Sequence, residues 1–259
     1  MGHIRLGRLP KSQRWHEVIA LLEGATPDPE RVAMATAFAA HAQFGHLQGD
    51  PSLSYCFWLL ARLASAARHP DFIDGLGLLG LDARPADSAI GFIAHISEHV
   101  RDEVERHPDS GLFGEMASLS LRRALTETIG TEGRSLFGSS VDDIEDAFRT
   151  HATPSRFGTL ARRFFGDFLA RTLRFYVDKE LLLHVGPTSG LADVGQADAF
   201  VADLDRHARQ SARIVEEFAS DWFSKHDWET SGAIDRDEAQ GFVAVALDKL
   251  RGELVEAGA

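Results

Sequence analysis

Imidazole and carboxylate side chains in the last third of the chain are the residues best suited to chemistry. His207 falls within the apolar stripe of an expected helix, where its ring nitrogens need partners. Glu180, His184, Glu217 and His226 supply the other groups of this kind. Because such side chains bind transition metals and transfer protons, a shared polar pocket would be a candidate catalytic site. For His207, the alternative is a hydrogen-bonded histidine inside the core.

A second group of oxygen-bearing residues lies between positions 227 and 238. This segment, Asp-Trp-Glu-Thr-Ser-Gly-Ala-Ile-Asp-Arg-Asp-Glu, resembles the calcium loop of the EF-hand family. The resemblance implies Ca²⁺ ligands at Asp227, Glu229, Ser231, Asp235 and Glu238. It departs from the family at Glu229, where a shorter side chain is usual, and in lacking a second loop to pair with. The alternative is a turn in which Asp235 and Glu238 form a capping box for the last helix.

A third pattern is His95-Ile-Ser-Glu98-His99, which resembles the H-x-x-E-H signature of inverzincin metalloproteases. The resemblance implies zinc held by His95 and His99, with Glu98 activating water. It covers only five residues, and those enzymes are mixed α/β proteins, so a solvated helix face is the alternative. A further hypothesis combines these residues with Glu180 and His184, so that two helices each present two ligands, as in metal-carrying helical bundles.

Helices must position all of these groups, because apolar residues recur every three to four positions along the chain. Asp28-Pro29 and Asp50-Pro51 each place a capping residue before a proline, which is typical of a helix start. No stretch shows the period-two alternation of a strand. The sequence therefore predicts an all-α fold, a single globular multi-helix bundle of about eight to ten helices.

Residues 155–185 are predicted to form a long central helix against which the other helices pack. Phe157, Phe164, Phe168 and Leu182 fall on its broad apolar face. The opposite stripe is charged and is expected to face water, with Arg163–Asp167 and Arg174–Asp178 as pairs one turn apart. The whole stripe consists of Arg156, Arg163, Asp167, Arg171, Arg174 and Asp178. A further helix is expected over residues 197–225.

The length of the chain allows two kinds of domain organisation. The 259 residues can bury one core as a single helical domain, 1–259. The alternative is a pair of lobes, an N-terminal one at 1–107 and a C-terminal one at 108–259. Length alone does not distinguish them.

Composition limits the classes of function. A formal net charge of −12 disfavours general nucleic-acid binding, which needs a basic surface. The single cysteine, Cys56, cannot form an internal disulfide and is expected to be a buried, unreactive thiol in the cytoplasm. No run approaches the roughly 18 apolar residues of a spanning helix, so neither a signal peptide nor a membrane anchor is expected. The abundance of alanine, arginine and glycine favours a bacterial source.

No glycine-rich phosphate loop or nucleophile elbow is present. We therefore expect an acidic, non-catalytic helical protein that acts through protein–protein contacts as an accessory subunit of a larger bacterial assembly. The alternative is a metal-dependent helical enzyme that uses the histidines and carboxylates of the C-terminal third. Calcium or a transition metal is the cofactor that these candidate sites would take.

Overall fold

The chain folds into α-helices, as a computed structural model shows. The structure describes residues 13–68, 71–81, 89–132, 141–229 and 234–257, without the side chains of 42, 43, 130–132, 141, 227–229 and 257. Within these ranges there are twelve α-helices and no strand, so the all-α prediction is confirmed. The helices are α1 (Gln13–Glu23), α2 (Pro29–Ala39), α3 (His41–Leu47), α4 (Pro51–Ala66), α5 (Phe72–Gly77), α6 (Ala89–Glu105), α7 (Gly111–Glu132), α8 (Val141–His151), α9 (Pro154–Leu181), α10 (Val194–Ser211), α11 (Arg213–Glu229) and α12 (Arg236–Ala257).

The two predicted Asp-Pro helix starts are confirmed. The Asp28 carboxylate accepts a hydrogen bond of 3.0 Å from the Glu30 backbone N–H, and α2 begins at Pro29. The Asp50 carboxylate accepts one of 2.8 Å from the Leu53 backbone N–H, and α4 begins at Pro51. Each carboxylate satisfies a backbone donor that the helix itself leaves free.

The predicted central helix is α9, which packs against α7, α10 and α11. Phe157, Phe164 and Phe168 on its apolar face are each at most 1% exposed, as predicted. The placement of Leu182 on that face is wrong, because this side chain is 71% exposed. The α-helix ends at Leu181 and a short 3₁₀ turn, Leu182–His184, follows, so the α-helical periodicity no longer applies to Leu182.

The expectation that the charged stripe of α9 faces water is wrong for Asp167, which is 1% exposed. Its carboxylate accepts hydrogen bonds from Ser120 Oγ at 3.0 Å, Arg171 Nε at 2.6 Å and Arg209 Nη2 at 3.2 Å. A third guanidinium, that of Arg123, lies 3.2 Å away. Since α7 and α10 cover this part of α9 from two sides, Asp167 joins three helices rather than meeting solvent.

The two predicted charge pairs on α9 differ in outcome. Arg174 Nε lies 3.5 Å from the Asp178 carboxylate, so this pair is confirmed. The pair of Arg163 with Asp167 is not formed, because the Arg163 guanidinium donates to the Glu127 backbone carbonyl of α7 at 2.9 Å. The neighbouring helix thus offers Arg163 a nearer acceptor than its own helix does.

Helix α11 lies very close to the central helix at Gly158. A Cβ atom at this position would lie 2.3 Å from the backbone carbonyl oxygen of Glu216, so a side chain there requires the two helices to move apart. The Glu216 carboxylate accepts hydrogen bonds from Thr159 at 2.8 Å and from Arg162 at 2.9 Å. Although burial opposes ionisation, these two bonds lower the pKa of Glu216.

The single helix expected over 197–225 is divided into α10 and α11 at Ala212. Both parts pack on α9, and the Ser211 hydroxyl bonds back to the His207 carbonyl at 3.1 Å, which favours a bend in a helix. A similar break at Ala40 separates α2 from the short α3. These divisions account for a helix number above the expected eight to ten.

The last helix closes the core against the first third of the chain. α12 packs on α2, α4 and α11, and the Phe242 ring stacks on Phe57 of α4 at 4.3 Å between ring centroids. Helices on both sides of position 107 therefore share this core. Cys56, next to Phe57, is fully buried as predicted, and burial raises the pKa of its thiol.

No helix of the described ranges combines the length and the apolarity that crossing a bilayer requires.

Candidate functional site

His207 lies in the core, as its place in the apolar stripe predicts. It is 6% exposed, and its Nδ1 lies 3.8 Å from a carboxylate oxygen of Glu30 on α2. This distance is too long for a hydrogen bond, and among the described residues Nε2 has no hydrogen-bond partner. The burial of the imidazole is confirmed, whereas no hydrogen bond of its ring is found within the part of the chain that the structure describes.

His184 and Glu180 both face the first helix. His184 Nδ1 lies 3.8 Å from a carboxylate oxygen of Glu23, at the end of α1. The Glu180 carboxylate accepts a hydrogen bond of 3.5 Å from Trp15 Nε1. These contacts attach α1 to the end of the central helix, which is a structural role.

The remaining two candidates lie on α11. His226 Nδ1 is 2.8 Å from the Trp222 backbone carbonyl, and Glu217 is exposed. Within the described ranges, no three histidine, cysteine, aspartate or glutamate residues form a group that could hold a metal ion. The structure therefore does not bring the five proposed catalytic residues together at one metal-binding group.

The segment that resembles an EF-hand loop is described only in part. The side chains of Asp227 and Glu229, and Ser231 as a whole, lie outside the described residues. The Asp235 carboxylate accepts a hydrogen bond of 2.7 Å from the Glu238 N–H, and Glu238 accepts one of 3.0 Å from the Asp235 N–H. The predicted capping box is thus confirmed. Calcium binding by this segment stays a prediction.

The His95, Glu98 and His99 pattern lies on α6, but its members face different surroundings. The His99 ring lies 6.3 Å from the Tyr55 ring, and burial lowers its pKa. Glu98 is exposed, and Arg101 Nη2 lies 3.9 Å from its carboxylate. Among the described residues, these side chains are not part of any group of three histidine, cysteine, aspartate or glutamate residues that could hold a metal ion.

A groove lies between α6 and α7 on the surface of the described part of the chain. Its volume is about 760 Å³, and its apolar lining consists of Ile90, Ile93, Ala94, Val104 and Leu119. We call it the α6–α7 groove. Ile90 is 50% exposed and Leu119 is half-buried, so apolar surface faces the open space. A contiguous exposed apolar surface with a polar rim is typical of a binding site.

The rim of the α6–α7 groove is charged: Glu98 and Arg101 lie 3.9 Å apart on α6 and offset one another, and three further charged residues line the groove. Glu105 and Glu115 lie at the end where α6 turns into α7, and Arg122 lies two helical turns farther along α7. No ion pair of these three side chains is found within the part of the chain that the structure describes. One end of the groove is therefore acidic, and a free guanidinium lies farther along it.

A buried charge cluster fixes the opposite side of α6. Glu103 is 6% exposed, and its carboxylate accepts hydrogen bonds from Arg106 and, at 2.8 Å, from Arg236 of α12. The Arg236 guanidinium also lies over the Tyr55 and Trp58 rings of α4, at 4.8 and 5.1 Å. Because α6 is held to α4 and α12 in this way, the groove has rigid support on one side.

At the turn end of the groove, α6 and α7 are in close contact. A Cβ atom on Gly114 would lie 3.0 Å from Val104 Cγ1 and 3.1 Å from Ser52 Cβ of α4. Gly111, which begins α7, has a φ of +54°, a conformation that favours glycine. The sharp turn and the missing side chain let the helices meet here.

The sequence analysis did not predict the α6–α7 groove, because it considered residues 95–99 of α6 only as metal ligands or as a solvated helix face. A signal was available: Ile90 and Ala94 extend the apolar arc of α6 beyond the residues that face the core. When the apolar arc of a helix is wider than a single helix–helix contact requires, a second part of its surface is available for packing. The partner wall on α7 could not be identified without knowing how the helices pack.

The geometry of the groove thus defines the candidate site, and comparison of the chain with other proteins does not identify a family for it. The chain was compared with models of protein families, with curated proteins and with solved structures, and none of the three comparisons finds a match.

Proposed function

We propose that this protein acts through contacts with other proteins, as an accessory subunit of a larger bacterial assembly, and that the α6–α7 groove is its contact surface. The observation that carries this proposal is the groove itself, about 760 Å³ between two helices, with an apolar floor and charged residues on its rim. Protein interfaces combine an apolar centre with a polar rim in the same way.

Two further features support the proposal. The buried Glu103 cluster holds α6 in place, so that a partner would meet a preformed surface and lose less free energy to ordering. The only cysteine is fully buried, which agrees with a cytoplasmic protein that needs no disulfide.

Affinity purification with a groove variant tests the proposal. The tagged full chain is expressed in its source cells as the wild type, as Ala94→Glu and as Leu183→Glu. Ala94 is an exposed residue of the groove, so glutamate there places a charge on the apolar surface without removing a core side chain. Leu183 is 75% exposed and lies outside the groove, which makes it a matched control.

The expected result is a protein that co-purifies with the wild type and the Leu183→Glu control, is lost with Ala94→Glu, and forms the same complex from purified components. A partner retained equally by all three forms would contradict the assignment of the groove. Failure of any retained protein to reassemble with the purified chain would contradict the proposed function.

A further inference from the structure

Resting on the proposed function, we infer that the partner inserts an amphipathic α-helix of about four turns into the α6–α7 groove. The groove extends along α6 from Ile90 to Glu105. At about 1.5 Å per residue this length is roughly 22 Å, which a helix of about 15 residues spans. Such a helix would lie beside α6 and α7 as the third member of a small bundle.

The backbone chemistry of the groove selects a helix over an extended peptide. Both walls are α-helices, whose backbone N–H and C=O groups are already paired within each helix. A strand bound here would find no sheet edge to accept its backbone hydrogen bonds, whereas a helix satisfies its own. The apolar side chains Ile90, Ile93 and Leu119 then offer pockets for residues spaced three or four apart.

The shape of the groove also disfavours a second copy of the same surface. The α6–α7 groove is concave, so two copies facing one another would leave their cavities unfilled. A single convex helix from a partner fills the space. The occupant is therefore a helix, and its apolar stripe faces Ile93 and Leu119.

The rim charges define the polar residues of this helix. Glu105 and Glu115 require a basic side chain at one end, and Arg122 requires an acidic side chain two turns away. Glu115 and Arg122 are seven residues apart on α7, which is about 10.5 Å along the helix. The expected partner segment thus carries one lysine or arginine and, about seven residues away on the same side, one aspartate or glutamate.

Two labelled peptides and one charge-reversed variant test the inference. Both peptides have 16 residues with leucine at every third or fourth position. The mixed peptide carries a lysine and a glutamate seven residues apart beside the leucine stripe, and the acidic peptide carries glutamate at both places. Fluorescence anisotropy measures their affinities for the full chain and for Glu105→Lys/Glu115→Lys, in which the groove rim becomes basic at both ends.

We expect the wild type to bind the mixed peptide at least tenfold more tightly than the acidic one, and the charge-reversed variant to show the opposite preference. This result does not depend on the direction in which a peptide lies. Ala94→Glu should lower the affinity for the mixed peptide at least tenfold, whereas Leu183→Glu should leave that affinity unchanged. A loss of folding cannot produce an exchange of preference.

Several outcomes would overturn the inference. One is peptide binding that Ala94→Glu does not alter, and another is a lack of saturable peptide binding to the wild type. The inference also fails if native mass spectrometry finds a small apolar molecule in the groove, or if the protein forms a dimer that Ala94→Glu dissociates. If the purified partner depends on Ala94 but neither peptide binds, the contact function stands and the helix inference fails. If the partner is also indifferent to Ala94→Glu, the assignment of the groove and the helix inference fail together, and a complex that does not reassemble from purified components contradicts the contact function itself.

Discussion

Replacing Asp167 with alanine should lower the free energy of unfolding by about 3 kcal/mol. The carboxylate is 1% exposed and faces the guanidinium groups of Arg123, Arg171 and Arg209 as well as the Ser120 hydroxyl. Removing one partner of a buried charge pair typically costs about 3–5 kcal/mol, because the remaining charges lose their counter-charge. The arginine side chains keep 32–42% of their exposure, so water stabilises them in part and the lower end of that range applies.

Asp178→Ala is the matched control on the same charged stripe of the same helix. Asp178 is 45% exposed and pairs with Arg174 at 3.5 Å. An exposed pair one turn apart contributes about 0.3–0.5 kcal/mol. Urea unfolding at pH 7, followed by circular dichroism, measures both variants against the wild type. In a chain of this length a loss of 3 kcal/mol corresponds to a Tm lower by roughly 6–12 °C.

Salt concentration and a second substitution separate burial from general surface electrostatics. The effect of Asp178→Ala should shrink as sodium chloride rises from 0.1 to 0.5 M, whereas the effect of Asp167→Ala should remain. Asp167→Asn keeps an acceptor for Ser120 but removes the charge, so it should still cost about 2 kcal/mol. Equal unfolding midpoints for Asp167→Ala and Asp178→Ala would refute the burial of Asp167 as the reason for its contribution.

Two other changes test the packing around α9 and the support of α6. Gly158→Ala should destabilise the protein by about 3 kcal/mol, since the added Cβ would lie 2.3 Å from the Glu216 carbonyl. Gly241 has open space around it, so Gly241→Ala should stabilise the protein by about 0.5–1 kcal/mol in the same urea experiment. Glu103→Gln should cost about 2 kcal/mol at pH 7. Although burial opposes ionisation, the hydrogen bonds from Arg236 and Arg106 lower the pKa of Glu103 from 4.5. This contribution is therefore present above pH 4.5 and lost as the pH falls through the lowered pKa. The difference between Glu103→Gln and the wild type should therefore disappear in acid, and a constant difference from pH 7 to pH 3 would contradict the ion-pair explanation.

The local parts of this fold could be predicted from sequence, because their causes lie within a few residues. The Asp-Pro helix starts and the capping box of Asp235 and Glu238 each depend on a carboxylate that reaches a backbone N–H two or three residues away. The apolar face of α9 follows from helical periodicity in the same way. Such signals indicate that a helix exists and which side of it is apolar.

The parts that could not be predicted depend on which helices become neighbours. The burial of Asp167 requires α7 and α10 to cover both sides of one charged stripe, and a single helix carries no sign of that. The α6–α7 groove likewise needs a second wall that α6 does not specify. His207 shows both cases, since periodicity predicts its burial, but the carboxylate nearest to it, Glu30, belongs to α2 near the start of the chain.

The packing of α12 on α2 and α4 determines when this protein can finish folding during its synthesis. Phe57 of α4 stacks on Phe242 of α12, and the residues between these helices must be translated before the contact can form. At about 5–20 residues per second, this interval lasts roughly 10–40 s. During this interval, the apolar side of α4 against which α12 will pack is uncovered. Nascent chains from neighbouring ribosomes can associate through this uncovered side. Slow translation of the α12 codons would therefore lengthen the time for which this side of α4 is uncovered.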